Sequence, residues 1–410
     1  MYDVDRQIKT FWAKFGLCDV EIGEKFSDAT SGNSVRASKF LEGLDLEPIM
    51  PVINKYYVVG EDVETYPRKA MVKAFIWRKI KRIKYYTRAA RYLENHPDEA
   101  LELGFNLDEE GNALTPDHES LRHFEKIRLG LKGMNEIMEQ LCIQVVRAGN
   151  ELGLKIGENT GTDSTPLETH NDSAGTYNGH YKKKMVKVQL TVDYDHNLPL
   201  GKKVVGGNEG DDQYLEEMLR KTSLSSKENM RETWFDGGYT SNKNIALAHI
   251  EFKVTPHYHI DSDWRANVVY EHHFNGRHYT YTPAEEINYL YQKYWREPDY
   301  WKEATLEYKM QYLVKKGVYD AVAMYFRNAA VQESWECPDG FLDIYHRRNS
   351  NEGVNSYLKD NLGLETHVNG KGMNNIDLHV TECCITLLSV ALTRLQHGIK
   401  ENLSSVAYLT

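Results

Sequence analysis

The chain has 410 residues, 41% of them hydrophobic, and a formal net charge of −10 at pH 7. That length predicts two or three domains with a sizeable core, and the absence of any run of about 18 apolar residues predicts no membrane-spanning helix. The five cysteines (Cys18, Cys142, Cys337, Cys383, Cys384) are odd in number and lack C-x-x-C spacing, which argues against a disulfide framework or zinc site and for a reducing compartment. The first residues, Met1 to Arg6, carry no secretory pattern. An acidic balance is unusual for a nucleic-acid binder, so local patches must decide that class.

Residues 1–62 carry no recognisable chemistry. Ile8, Phe11, Trp12 and Phe15 fit a short amphipathic helix, 27–34 is a Gly/Ser/Asn-rich break, and 52–59 suits a strand or extended linker. The next stretch is the most basic. From Tyr66 to Leu93 there are ten cations, among them Arg78, Lys79, Lys81 and Arg82, and no acid. Val72, Ile76, Ile80 and Ile83 recur at helical spacing, and Pro67 suits a helix start. Like charges at this density repel, so the segment is expected to present a surface to DNA phosphates. Thr115-Pro116 is expected to open another helix, with Thr115 as cap. Met134 to Leu152 predicts a long helix, apolar through Ile137, Leu141 and Val145.

Beyond residue 154 the period changes to that of strands. Thr160–Leu167, Met185–Val192, Leu198–Val205, Glu232–Asp236 and Phe252–Thr255 read as five strands, with helices over 211–221 and 243–249. Asp163 lies on the first strand. Asp236 ends the fourth, followed by Gly237-Gly238, which allow a tight turn and close approach to a ligand. Asp172, Asp193 and Asp195 are nearby alternatives to Asp163, and an isolated Asp236 would read as a turn residue. Tyr181 to Lys184 adds positive charge, including Lys182 and Lys183. His257, His259, His272, His273 and His278 match no zinc spacing and read as surface or DNA-facing residues. Residues 257–338 are rich in tyrosine and tryptophan. A strand is expected at 278–282 and one or two helices over 283–316, with most aromatics forming a packed core. Trp295 and Trp301 are weaker candidates for stacking on an unpaired base.

The stretch 343–359 places Tyr345, Arg348, Glu352 and Lys359 three, four and seven residues apart, on one face if helical. By itself such a set is more often a salt-bridge ladder on a solvated helix. It also suits a metal-binding carboxylate beside phosphate clamps, with Arg347 adjacent. Ile376 to Leu395 predicts a buried helix covering the sheet, with Cys383 and Cys384 in the core.

The spacing Tyr-(2)-Arg-(3)-Glu-(6)-Lys, together with Thr-Asp163-Ser-Thr and Phe-Asp236-Gly-Gly-Tyr, resembles DDE transposases of prokaryotic insertion sequences, of the insertion-sequence family four type. The resemblance covers about 63–395. It implies an α/β fold: a ribonuclease H-like catalytic core, a mixed five-stranded sheet flanked by helices, with a helical N-terminal domain and an insertion before the last carboxylate. The divisions expected are 1–62, a basic DNA-binding domain at 63–153, the core at 154–256 and 339–410, and the insertion at 257–338. The implied activity is cleavage at transposon ends followed by strand transfer. Asp163, Asp236 and Glu352 would be the catalytic metal ligands for two Mg2+ ions, with Mn2+ as a substitute. Tyr345, Arg348 and Lys359 would contact end phosphates. The partners implied are inverted-repeat ends and target DNA, bound by a homodimer in the synaptic complex, in a cytoplasmic, nucleoid-associated protein with no membrane partner. Rival readings are another ribonuclease H-like nuclease, or a host-adopted DNA-binding protein that does not cut.

Overall fold

The computed structural model describes residues 35–57, 65–169, 175–259, 268–295, 304–336, 344, 347, 350–365 and 371–409. The first part is helical: α1 (Ala37–Glu42), α2 (Met50–Asn54), α3 (Arg68–Ile80), α4 (Tyr86–Asn95), α5 (Pro97–Glu102), α6 (His118–Arg122) and α7 (Gly130–Glu151). A π-helical turn, His123–Leu129, joins α6 to α7. Residues 52–54, expected to be extended, lie in α2. The cap of α6 is Asp117, whose carboxylate accepts from Ser120 N at 2.7 Å, so that helix starts two residues after Pro116.

One mixed sheet follows. Its strands are β1 (Asn159–Glu168), β2 (Thr176–Asn178), β3 (Lys183–Asp193), β4 (Leu198–Gly206), β5 (Glu232–Phe235) and β6 (Thr255–His257). The path is β4-β3-β1-β5-β6, with β2 pairing the start of β3 on the β4 edge. β4, β3 and β1 run antiparallel, while β1, β5 and β6 are parallel. The expected fifth strand forms three residues late. The helix α9 (Asn242–Leu247) continues as a π-helical turn to Phe252, and Lys253 caps it in the left-handed region (φ 57°), so the chain extends only from Thr255.

Between β6 and the last helices come a hairpin, β7 (Tyr270–Phe274) with β8 (Arg277–Tyr281), and α10 (Pro283–Tyr294), α11 (Leu306–Lys315) and α12 (Asp320–Glu336). Thr282 and Glu285 form a reciprocal capping box at α10, with Pro283 at its first position. α8 (Leu215–Ser226) lies between β4 and β5. α13 (Ser350–Leu362) and α14 (Met373–Gln396) close the described fold.

Two hydrophobic clusters sandwich the sheet. On one side Leu167, Val186, Val188, Leu190 and Val192 pack with residues of α1–α7, α13 and α14. On the other, Phe235 and Tyr239 pack with α8, α9 and the helices α10–α12 through Ile287, Leu313 and Val322. α14 has the length and composition of a membrane-crossing helix, with mean hydropathy 1.5 over its most apolar window, yet 94% of that window is buried inside the protein. It packs on α7, β4 and α3.

α3 departs from expectation. It is not a basic amphipathic helix with a solvated face. Met71, Val72, Ala74, Phe75, Ile76 and Trp77 are all buried, and so are Arg78 and Lys79. The helix runs between α1, α13 and α14, and a helix covered on most sides buries even its polar positions.

Candidate active site

β1 and β5 place the two aspartates side by side. Thr162 pairs with Phe235 in parallel register, so Asp163 is the next residue on β1 and Asp236 the first residue past the end of β5, on strands whose axes lie about 4.8 Å apart. Side chains alternate along a strand. Asp163 stands opposite Leu190, on the face of Leu167, Val186 and Val188. Phe235 faces the opposite cluster, which turns Asp236 to the face of Asp163. Each carboxylate accepts from the next backbone amide, Asp163 from Ser164 N at 2.8 Å and Asp236 from Gly237 N at 2.7 Å. Asp236 caps a tight turn, Gly237–Tyr239.

A polar network braces this pair from the other face of the sheet. Asp211 accepts from Lys187 Nζ (2.6 Å), Gln189 Nε2 (2.6 Å) and Ser164 Oγ (3.2 Å). The Tyr239 hydroxyl donates to Gln189 Oε1. Burial first, then Asp211 and Asp163, push the Tyr239 phenol well above its ordinary range, so it stays a donor. Sequence reasoning missed these residues. The available signal was Lys187 and Gln189 alternating with Val186, Val188 and Leu190, polar residues on the second face of a strand buried on both sides.

Glu352 lies exposed in the first turn of α13, which packs against β1. Val354, Leu358 and Leu362 hold that helix in the core. Lys359 is on the same helix, seven residues on, and pairs with Glu365 at 2.7 Å. Tyr345 and Arg348 lie outside the described residues. Arg347 is half-exposed, 3.3 Å from Asp195, with its guanidinium 5.4 Å from the Trp234 ring centroid. Trp234 Nε1 donates to the Ile344 carbonyl at 2.8 Å, tying this segment to β5. A cavity of about 700 Å³ opens beside α13, lined by Asp195, His196, Gly353, Tyr357 and residues 400–405. Among the described residues no three His, Cys, Asp or Glu side chains converge closely enough to hold a metal ion.

The expected phosphate-binding cations divide into two groups. Arg78 and Lys79 are 3% and 5% exposed. Arg78 pairs with Glu125, Lys79 pairs with Glu382, and Lys79 Nζ lies 2.7 Å from His379 Nδ1. Both are structural residues of the helical core, which corrects their expected place on a DNA-facing surface. Burial and the neighbouring Lys79 lower His379 to about 3, keeping it neutral between two cations and Glu382. Lys81 is largely covered, reaching Tyr92 and Glu99. Arg82 is exposed and donates to the Asn361 carbonyl at 2.9 Å, joining the end of α3 to that of α13. Lys182 and Lys183 are exposed on the β2–β3 hairpin, Lys183 beside Glu168.

The histidines are packing and surface groups. His257 stacks on Trp234 at 4.5 Å, His272 bonds Glu286 at 2.8 Å, and His273 stacks on His278 across the hairpin at 4.7 Å. Trp295 stacks on Tyr291 at 5.4 Å and meets Tyr312 edge-on at 4.9 Å, so it belongs to an aromatic cluster between α10 and α11. Trp301 lies outside the described residues.

The family model described as "Transposase DDE domain" matches residues 162–388, more than half of the chain. The chain belongs to that transposase family. The matched span contains Asp163, Asp236 and Glu352, together with α10–α12. Among solved structures, a piggyBac transposase synaptic complex with hairpin DNA is similar at 12% identity over 87% of this chain and 80% of that one, with a TM-score of 0.29. No curated protein matches.

Proposed function

We propose that this chain cuts DNA at the ends of an insertion sequence of the family four type and joins those ends to target DNA. The observation that carries the reading is the placement of Asp163 and Asp236 on adjacent parallel strands, facing the side on which α13 carries Glu352. The strand path, three antiparallel strands followed by two parallel ones, supports a ribonuclease H-like core.

The donor set fits Mg2+. Asp163, Asp236 and Glu352 offer only hard carboxylate oxygens, with no sulfur or imidazole among them. Bound Mg2+ ions supply charge neutralisation at a phosphodiester undergoing in-line displacement. Asp163 and Asp236 are the fixed part of the site, held by Ser164, Gly237 and the Asp211 network. Glu352 would complete the set from the first turn of α13, which packs against β1. Mn2+ is an acceptable substitute on the same donor chemistry. Lys359, Arg347, Tyr345 and Arg348 grip the phosphates of the transposon end, Arg347 exchanging Asp195 for phosphate. Arg82, Lys182 and Lys183 add exposed positive charge. Two ends held together call for a homodimer on DNA, in the compartment of the nucleoid.

The test is cleavage of a plasmid carrying the gene with its native flanks, with Mg2+ and with EDTA, beside Glu352→Ala. Mg2+-dependent cuts at the two flanking ends, absent in the variant, are expected. Scattered cuts point to a general nuclease, and binding to the flanks without cutting points to a DNA-binding protein that has lost catalysis.

A further inference from the structure

The hairpin joining β2 to β3 has features that neither the sheet nor the carboxylate site requires. From Thr176 through Lys184 it holds three lysines and no acid, in a chain of net charge −10. Tyr177 is 60% and Tyr181 49% exposed, and His180, Lys182 and Lys184 are exposed as well. The tip is built rather than loose. Asn178 Oδ1 accepts from His180 N at 2.9 Å and Tyr181 N at 3.1 Å, while its amide nitrogen donates to the Gly207 carbonyl. Lys182 holds a left-handed backbone (φ 53°), a conformation that costs a non-glycine residue about 1 kcal/mol or more.

Register gives this tip a direction. Tyr177 pairs with Lys184 across the hairpin, so aromatic ring and ammonium share one face. Lys184, Val186, Val188 and Leu190 alternate onto that face, and Asp163 stands opposite Leu190. The Tyr177–Lys184 pair is therefore on the same side of the sheet as the aspartates. It lies six residues along β3 from their level, roughly 20 Å; Val186, Val188 and Leu190 between them are buried under the helices, so DNA reaching both places passes around the edge of the sheet. A rigid, acid-free tip that offers aromatic faces beside ammonium groups matches a strand of DNA with unpaired bases: rings stack on bases and lysines meet phosphates.

We propose that the hairpin of residues 176–184 is a second DNA contact that holds a single-stranded or frayed stretch of the DNA whose phosphodiester lies at Asp163 and Asp236. Tyr177 and Tyr181 stack on bases, and Lys182 and Lys184 contact phosphates. Lys183, paired with Glu168, adds charge to the tip without being one of these direct contacts. This rests on the DNA-cleaving reading above.

The experiment compares the whole protein with two variants, Tyr177→Ala/Tyr181→Ala and Lys182→Ala/Lys184→Ala, on fluorescent flank DNA that is either blunt or carries a single-stranded extension. All substituted side chains are exposed, and circular dichroism melts check the fold. The tyrosine variant should lose about ten- to a hundred-fold affinity for extended DNA and little for blunt DNA. The lysine variant should lose affinity for both, with the log–log salt slope reduced by about one to two. A 2-aminopurine in the single-stranded extension should change its stacking-sensitive emission with wild type and not with the tyrosine variant. Equal affinity and salt slope in wild type and both variants would overturn the hairpin contact while leaving the carboxylate reading intact. Wild type that binds neither DNA would overturn both.

Discussion

Gly161 sits two residues before Asp163 on β1, and the Tyr194 ring occupies the space where a side chain would be. A Cβ built on Gly161 would fall inside that ring. Gly161→Ala is therefore expected to destabilise the protein by about 1–3 kcal/mol, the usual cost of overpacking a filled site. Urea unfolding measures it, and in a Tyr194→Ala background the same glycine substitution should cost less, because the two sites share one volume. His196 gives a titratable counterpart on the neighbouring turn. Its ring nitrogen is 2.7 Å from Asp193. Burial opposes protonation, but the Asp193 bond and charge outweigh it and raise the imidazole above its ordinary value of 6.5. A raised folded value means the pair stabilises fully below 6.5 and loses that contribution as pH rises through the folded value. The melting-temperature gap between wild type and His196→Asn should shrink as pH is raised across that window. A constant gap would show that the pair is not linked to folding.

At the scale of elements, the buried ion cluster between α3, the π-helical turn and α14 dominates. Arg78, Lys79, Glu125 and Glu382 are all nearly inaccessible. Removing one partner leaves a charge buried without compensation, so Glu382→Leu should cost about 3–5 kcal/mol in urea unfolding. Glu382→Leu combined with Lys79→Met should cost less than the single change, since an apolar pair of similar size replaces two charges. The same cluster explains where sequence reasoning failed. Ten cations without an acid look like a DNA surface because local sequence cannot display a partner some 300 residues away. Elements set by local alternation fared better. β1, β3, β4 and β5 fall within a few residues of their expected limits, because period-two patterns report a buried face directly. β2 has three residues and no room for a pattern, β7 and α12 were not expected, and β6 was displaced by a π-helical turn that no periodicity announces. Asp163 and Asp236 were legible as a strand carboxylate and a strand-end carboxylate. The supporting Asp211 was not, since its role depends on Lys187, Gln189 and Ser164 meeting in space. Glu352 and Lys359 share a helix, the condition under which their spacing puts them on one face, although that helix begins only at Ser350.

For the whole molecule, the two aspartates make predictions about cleavage and about ion binding. Asp163→Ala and Asp236→Ala should each abolish end cleavage while leaving binding to flank DNA unchanged, as measured by gel shift beside a cleavage assay. Lost binding would assign them to recognition instead. Mg2+ should raise the melting temperature of wild type and not of Asp163→Asn, because a ligand that binds only the folded state stabilises it by mass action. An equal rise in both would remove Asp163 from the ion site.

The pairing of α3 with α14 also has a consequence in time. During synthesis, at about 5–20 residues per second, Lys79 is made roughly 15–60 seconds before His379 and Glu382. Until then the basic helix has no such carboxylate from α14 to neutralise it and no final helix to cover it. A growing chain thus leaves Lys79 without the partners that bury it in the finished fold. A ribosome stalled before α14 would leave a fragment whose basic stretch offers nucleic acid one cation more, Lys79, than the completed protein does.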